Sequence, residues 1–184
     1  MRLFVGIDLP EMIQQRLGLL GAGLFGARWV DPRNMHVTLR FIGEVGRGEA
    51  EDIDGALAAI RCPVFDLRLT SVGTFGSDRK VRQLWAGVER IEVLMRLQQK
   101  VEQAVIRQGF EPEGRKFMPH VTLARFRGDP GERLGPYLEA NNTFSAGPFT
   151  VEGFTLFESH LGGEGAHYEA LQDYPLEGSP VEGL

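Results

Sequence analysis

His36-Val37-Thr38-Leu39-Arg40-Phe41-Ile42-Gly43 has a second copy further along the chain, His120-Val121-Thr122-Leu123-Ala124-Arg125-Phe126-Arg127-Gly128. Each copy opens on the same tetrapeptide, runs on into Arg-Phe and a glycine, and sits near the middle of its own half of the chain. Their β-branched and apolar content predicts a strand for each. A strand turns residues i and i+2 to one face. His36 and Thr38 then share a face, with Val37 and Leu39 turned to the core; His120 and Thr122 stand likewise over Val121 and Leu123. Brought face to face, the two strands build a site of two imidazoles and two hydroxyls.

Those four groups suit displacement at phosphorus. Imidazole titrates near neutrality, so one ring can be neutral while the other carries a proton. The neutral ring takes a proton from the attacking oxygen and the charged ring protonates the leaving one. The hydroxyls of Thr38 and Thr122 can hold non-bridging phosphate oxygens. Each motif also offers a guanidinium, a natural phosphate clamp. Arg40 has the parity of His36 and Thr38 and is expected in the cleft as a substrate contact, with Phe41 beside it. Arg125 lies five residues past His120 and reaches the cleft only if its strand ends or bulges near Ala124.

The two His-x-Thr motifs resemble those of the 2H phosphoesterase superfamily, and most closely its RNA 2′,3′-cyclic phosphodiesterases, also called 2′-5′ RNA ligases. The resemblance rests on Arg2-Leu3-Phe4-Val5-Gly6-Ile7-Asp8-Leu9-Pro10, on His36 to Glu44, and on Pro119-His120-Val121-Thr122-Leu123-Ala124-Arg125, and extends to about Tyr174-Pro175-Leu176. It implies an α+β fold of two pseudo-symmetric lobes, each an antiparallel sheet with helices, around a central cleft. It implies hydrolysis of 2′,3′-cyclic phosphate ends of RNA, tRNA fragments among them, to 2′-phosphates. His36 would be the proton donor and His120 the proton acceptor; the residues themselves do not assign those roles, because the motifs are nearly symmetric. Thr38, Thr122 and Arg125 would hold the phosphate. Weak reverse 2′-5′ ligation would follow by microscopic reversibility. The alternatives are a 2H enzyme for a small cyclic nucleotide or an ADP-ribose cyclic phosphate, and a non-catalytic RNA-end binding module.

Composition bounds the rest. The chain of 184 residues is long enough for one domain with a sizeable core, read here as a single bilobal unit with a frayed tail after about residue 178. A net charge of −5 argues against non-specific binding along a nucleic-acid duplex, though not against an RNA end in a local basic cleft. Only three of the 20 basic residues are lysines, so the positive charge is mostly guanidinium. Cys62 is the single cysteine and excludes an internal disulfide, which fits a reducing cytoplasm. No apolar run reaches the length of a membrane span. The four histidines show no His-x-x-x-His or clustered Cys/His spacing, so neither metal nor other cofactor is expected, and the protein is read as a cytoplasmic monomer. No phosphate-binding glycine loop supports use of ATP.

Periodicity predicts a buried strand over Leu3 to Leu9, a helix after Pro10, an extended piece at Arg28 to Val30, and a helix over Glu49 to Ile60. Strands follow at Phe65 to Val72 and Leu84 to Val88, then a long helix over Glu89 to Gln108 closed by Gly109. A short helix is read at Glu132 to Ala140. Phe149 to Phe157 and Tyr168 to Leu176 are read as a hairpin around Gly162 to Gly165. The segment from Gly73 to Arg82 is read as a loop at the rim, Trp29 and Tyr137 as further candidates for contact with a base, and Arg115 and Lys116 as positive charge at the cleft mouth. His160 and His167 are assigned surface or loop-packing roles.

Overall fold

Val37 and Val121, each placed between a motif histidine and its threonine, pair across the middle of the molecule. The computed structural model describes residues 1–77, 80–163 and 165–178. The strands are β1 (Arg2–Asp8), β2 (Ala27–Trp29), β3 (His36–Glu44), β4 (Phe65–Ser77), β5 (Lys80–Val88), β6 (His120–Phe126), β7 (Ser145–Val151), β8 (Gly153–Gly162) and β9 (Gly165–Pro175). The helices are α1 (Glu11–Gly18), α2 (Arg47–Ala58), α3 (Glu92–Arg107) and α4 (Leu134–Asn141), with a 3-10 turn at Pro32–Asn34. The strands run in the order β7-β4-β5-β6-β3-β1-β8-β9, with β2 added beside β6. The sheet is thus two four-stranded antiparallel halves, β3-β1-β8-β9 and β6-β5-β4-β7, meeting at the single pair Val37–Val121.

The central pairs of the two halves, β1 with β3 and β5 with β6, repeat each other's register beside the motifs. Phe4, Val5, Gly6 and Ile7 of β1 stand against Phe41, Arg40, Thr38 and Val37 of β3. Gln83, Leu84, Trp85 and Ala86 of β5 stand against Arg125, Ala124, Thr122 and Val121 of β6. In both pairs the motif leucine, Leu39 or Leu123, is skipped: each motif strand carries a β-bulge at the same place. A bulge adds one residue and reverses the alternation beyond it. The carbonyl that each bulge leaves over is caught from outside the ladder. Gln98 of α3 donates to Leu39 O at 3.4 Å, and the Val30 amide donates to Leu123 O at 2.8 Å.

One face of the sheet is covered by helices. Leu94, Leu97, Val101, Ala104 and Val105 of α3, Ile13 and Leu17 of α1, and Ile53 and Leu57 of α2 are buried there. They meet Val5, Ile7, Val37, Leu39, Leu84, Ala86, Val121 and Leu123 in one core. The other face of β3 and β6 is the cleft. β1 is buried on both faces, which accounts for its continuous apolar run.

Two readings of the sequence are corrected. Phe149 to Phe157 is not one strand: β7 ends at Val151 on β4, and β8 starts at Gly153 on β1, in the opposite half of the sheet. Val151 and Phe154 both enter the core, so hydrophobicity runs on through the break. Gly153 marks it, because a Cβ there would lie 2.9 Å from Tyr174 O. Gly73 to Arg82 is not a loop but the far ends of β4 and β5, with Asp78 and Arg79 outside the described residues. The tail beyond Gly178 and Glu164 of the hairpin turn also lie outside them. Among the described residues no helix is long and apolar enough to cross a membrane.

Candidate active site

Each motif histidine is the first residue of its strand, and the backbone just before it sets its ring. His36 Nδ1 lies 2.8 Å from Asn34 O, and His120 Nδ1 lies 2.6 Å from Met118 O. A carbonyl only accepts, so Nδ1 carries the proton in both rings and Nε2 is the nitrogen left for chemistry. Asn34 is itself fixed at the end of the Pro32–Asn34 turn, where its side chain donates to Ala166 O of β9 at 3.0 Å. His36 Nε2 is 2.8 Å from Thr38 Oγ1. Thr122 Oγ1 instead accepts from Gln83 Nε2 at 2.7 Å, which leaves its own proton to donate into the cleft.

Aromatic rings enclose both imidazoles. His36 stacks on Phe4 at 4.7 Å between centroids and meets the edge of Tyr168 at 5.2 Å, with Phe157 at 6.0 Å. His120 meets Phe75 edge-on at 4.9 Å, with Trp85 at 6.5 Å. Burial lowers the pKa of His36 to about 4; the bond to Asn34 opposes the shift, and Arg125 and His120 add to it. His120 is lowered by the same burial and by Arg125, against the bond to Met118. This corrects the expectation of one charged and one neutral ring in the resting site. At neutral pH His36 is neutral and His120 is shifted the same way, because the imidazolium loses hydration under these rings.

The bulges sort the remaining motif residues. Past Leu123 the alternation reverses, so Arg125 faces the cleft, where it lines a pocket of about 80 Å³ with His36, Thr38, Gln83, His120 and Thr122. Past Leu39 it reverses likewise, and Arg40 is lost to the cleft. Its side chain is on the helix side, 7% exposed, where it pairs with Glu102 of α3 and donates to Glu111 O. Phe41 takes the cleft position instead, 60% exposed at the pocket rim. The repeated register makes Phe41 the counterpart of Arg125, and Phe4 the counterpart of Gln83. One half of the cleft is therefore polar, Gln83 with Arg125, and the other aromatic, Phe4 and Phe41 with Tyr168. Among the described residues no carboxylate lines the pocket.

The model of the family described as LigT like Phosphoesterase matches this chain twice, over residues 7–85 and 88–168, and each match holds one of the two His-x-Thr motifs. The chain belongs to that family. An RNA 2′,3′-cyclic phosphodiesterase of Thermotoga maritima is 32% identical over 98% of this chain and 98% of its own length. Among solved structures, TT0787 of Thermus thermophilus aligns with a TM-score of 0.81 at 28% identity, covering 97% of this chain and 99% of that one. Escherichia coli LigT complexed with 3′-AMP aligns with a TM-score of 0.78 at 27% identity, covering 96% and 98%.

In this LigT-like phosphoesterase the cleft gathers His36, Thr38, Phe41, His120, Thr122 and Arg125, and leaves out Arg40 along with the outlying candidates Trp29, Tyr137, Arg115 and Lys116. Gln83 and Tyr168 were missed. Gln83 sits just before the stretch read as a strand, in phase with Trp85 and Gly87 and out of phase with Leu84, Ala86 and Val88, so its facing was open to inspection. Tyr168 comes from the distant β9 and carried no signal. Phe126 is core, unlike Phe41. Trp29 packs against Tyr137 at 6.3 Å, and Tyr137 donates to Leu20 O at 2.8 Å; both brace α1 and α4 rather than the cleft. Arg115 and Lys116 are exposed on the segment that leads into β6.

Proposed function

We propose that this chain opens the 2′,3′-cyclic phosphate at an RNA end and leaves a 2′-phosphate, using two imidazoles and no metal. The observation that carries the reading is the pair of Nδ1-anchored histidines in one pocket with Thr38, Thr122 and Arg125. The pocket accommodates a phosphate group between the two histidines and leaves the nucleoside against Phe41 and Tyr168 at the rim. The names of the relatives support the substrate, and so does 3′-AMP, a ribose phosphate, in the Escherichia coli structure.

In the step proposed, His120 Nε2 takes a proton from water as the water oxygen attacks phosphorus. The bond from phosphorus to the 3′ oxygen breaks, and His36 Nε2 protonates that oxygen. Thr122, oriented by Gln83, and Arg125 stabilise the charge that builds on the non-bridging oxygens. His36 does not hold that proton in the empty site at neutral pH. The anionic phosphate supplies the missing stabilisation: a negative charge beside the ring favours the imidazolium, so proton uptake accompanies binding. With a 5′-hydroxyl in place of water as the nucleophile, the same groups acting in the same direction support weak 2′-5′ ligation.

The test is turnover of a short RNA ending in a 2′,3′-cyclic phosphate, with products resolved as 2′- or 3′-phosphates. A 2′-phosphate formed at the same rate in excess EDTA is expected. A 3′-phosphate would reverse the leaving group, and activity lost to EDTA and restored by a divalent ion would make the histidines ligands. Faster turnover of a small cyclic nucleotide or an ADP-ribose cyclic phosphate would displace RNA as the substrate.

A further inference from the structure

On the helix side of the β8–β9 hairpin, away from the cleft, the register sets Glu158 directly opposite Glu169 and His160 directly opposite His167. Like charges opposite each other on a sheet destabilise it unless something positive lies between them. Here the carboxylates converge on one imidazole nitrogen. His160 Nε2 is 3.2 Å from Glu169 Oε2 and 3.7 Å from Glu158 Oε2, and one donor atom from each of the three residues lies within 4.8 Å of the others. Ligands about 2.1 Å from a tetrahedral ion lie roughly 3.4 Å apart, which is the spacing each carboxylate oxygen already has to the imidazole nitrogen.

We propose that this face binds one divalent transition-metal ion, with Glu158, His160 and Glu169 as ligands and the fourth position left to water or to His167. One imidazole with two carboxylates is a donor set that zinc accepts. The sequence hides it, because ligand spacing on a hairpin is set by register and not by a short motif: Glu158 and Glu169 are eleven positions apart yet adjacent in space. The ion would have no part in the chemistry. Phe157, Ser159 and Tyr168 point to the opposite face, and Tyr168 lies against His36.

Zinc chloride is the probe, added to EDTA-stripped and dialysed full-length protein. The active-site imidazoles are potential zinc donors as well, so the measurement is made in a His36→Ala, His120→Ala background. Calorimetry is expected to give one site, and a hundredfold excess over Kd to raise Tm by roughly 5–10 °C. His160→Ala and Glu169→Gln, each added to that background, should remove both signals. Both side chains are largely exposed, and each variant's own Tm without zinc confirms that it has folded. Zinc binding that persists unchanged in His160→Ala, or no binding in the parent background at 100-fold molar excess, would overturn the site. Neither result bears on the phosphodiesterase reading, which is tested separately by turnover in EDTA.

Discussion

Gly6 is a glycine because the Val37 carbonyl and the edge of the His36 ring crowd the space a side chain would need. A Cβ at that position would lie 3.0 Å from Val37 O and 3.3 Å from His36 Cδ2. Gly6→Ala should therefore tilt the ring off Asn34 O and cost on the order of 10–100-fold in kcat with the circular dichroism unchanged; an unchanged rate would show that the ring tolerates the shift. His36→Ala and His120→Ala should each cost about 10²–10⁴-fold. The sign of the pKa shifts fixes the pH dependence. The free enzyme's kcat/KM needs one ring charged and one neutral, and both rings titrate below 6.5, His36 at about 4. The profile should be a bell with both limbs below pH 6.5, and the limbs belong to the pair rather than to either ring. The kcat profile should lie higher, since bound phosphate favours the imidazolium. A kcat/KM plateau extending to pH 8 would contradict the buried, neutral pair.

At the level of the strand, the motif was legible up to Leu39 and Leu123 and not beyond. Period-two alternation put His36, Thr38, His120 and Thr122 on the cleft face correctly, because no irregularity intervenes. It then sent Arg40 in and Arg125 out, and the bulges reverse both. A bulge leaves little trace in composition: two adjacent buried residues, Leu39-Arg40 and Leu123-Ala124, read as ordinary strand, and one of the four is charged. The chemical cost of burying Arg40 is met by Glu102, which also accepts from the Glu113 amide. Arg40→Ala should accordingly act on stability, leaving the partly buried Glu102 carboxylate with the Glu113 amide but without its guanidinium, at a loss of about 2–3 kcal/mol. Phe41→Ala should act on binding, raising KM about tenfold or more through lost stacking on the base, with stability within about 0.5 kcal/mol of wild type. Denaturant titration and steady-state kinetics on the two variants read this directly. The opposite pattern, with Arg40→Ala stable but weak in binding, would restore the unbulged strand.

The whole molecule explains why two nearly identical motifs make one asymmetric site. Its halves share a register and a core, so the difference lies in what each wraps around its histidine. β1, β8 and β9 bring Phe4, Phe157 and Tyr168 to His36, whereas β4 and β5 bring Phe75, Trp85 and Gln83 to His120 and Thr122. None of those partners is adjacent to its motif in sequence, so the titration of the rings could not be read from the chain. That enclosure links the site to global stability. His36 takes up a proton near 6.5 when unfolded and at about 4 when folded. Between those values the unfolded state binds more protons, so stability rises with pH and is lost as pH falls through the window. At about 1.4 kcal/mol per unit, the loss attributable to this ring approaches about 3 kcal/mol by pH 4. Carboxylates also titrate there, so the informative quantity is the difference between wild type and His36→Gln, which cannot charge. That difference, from urea denaturation at pH 7 and again near pH 4, should shift toward the variant by about 2–3 kcal/mol on acidification. A difference independent of pH would mean that His36 is hydrated in the folded protein, and the closed aromatic setting assigned to it would have to be abandoned.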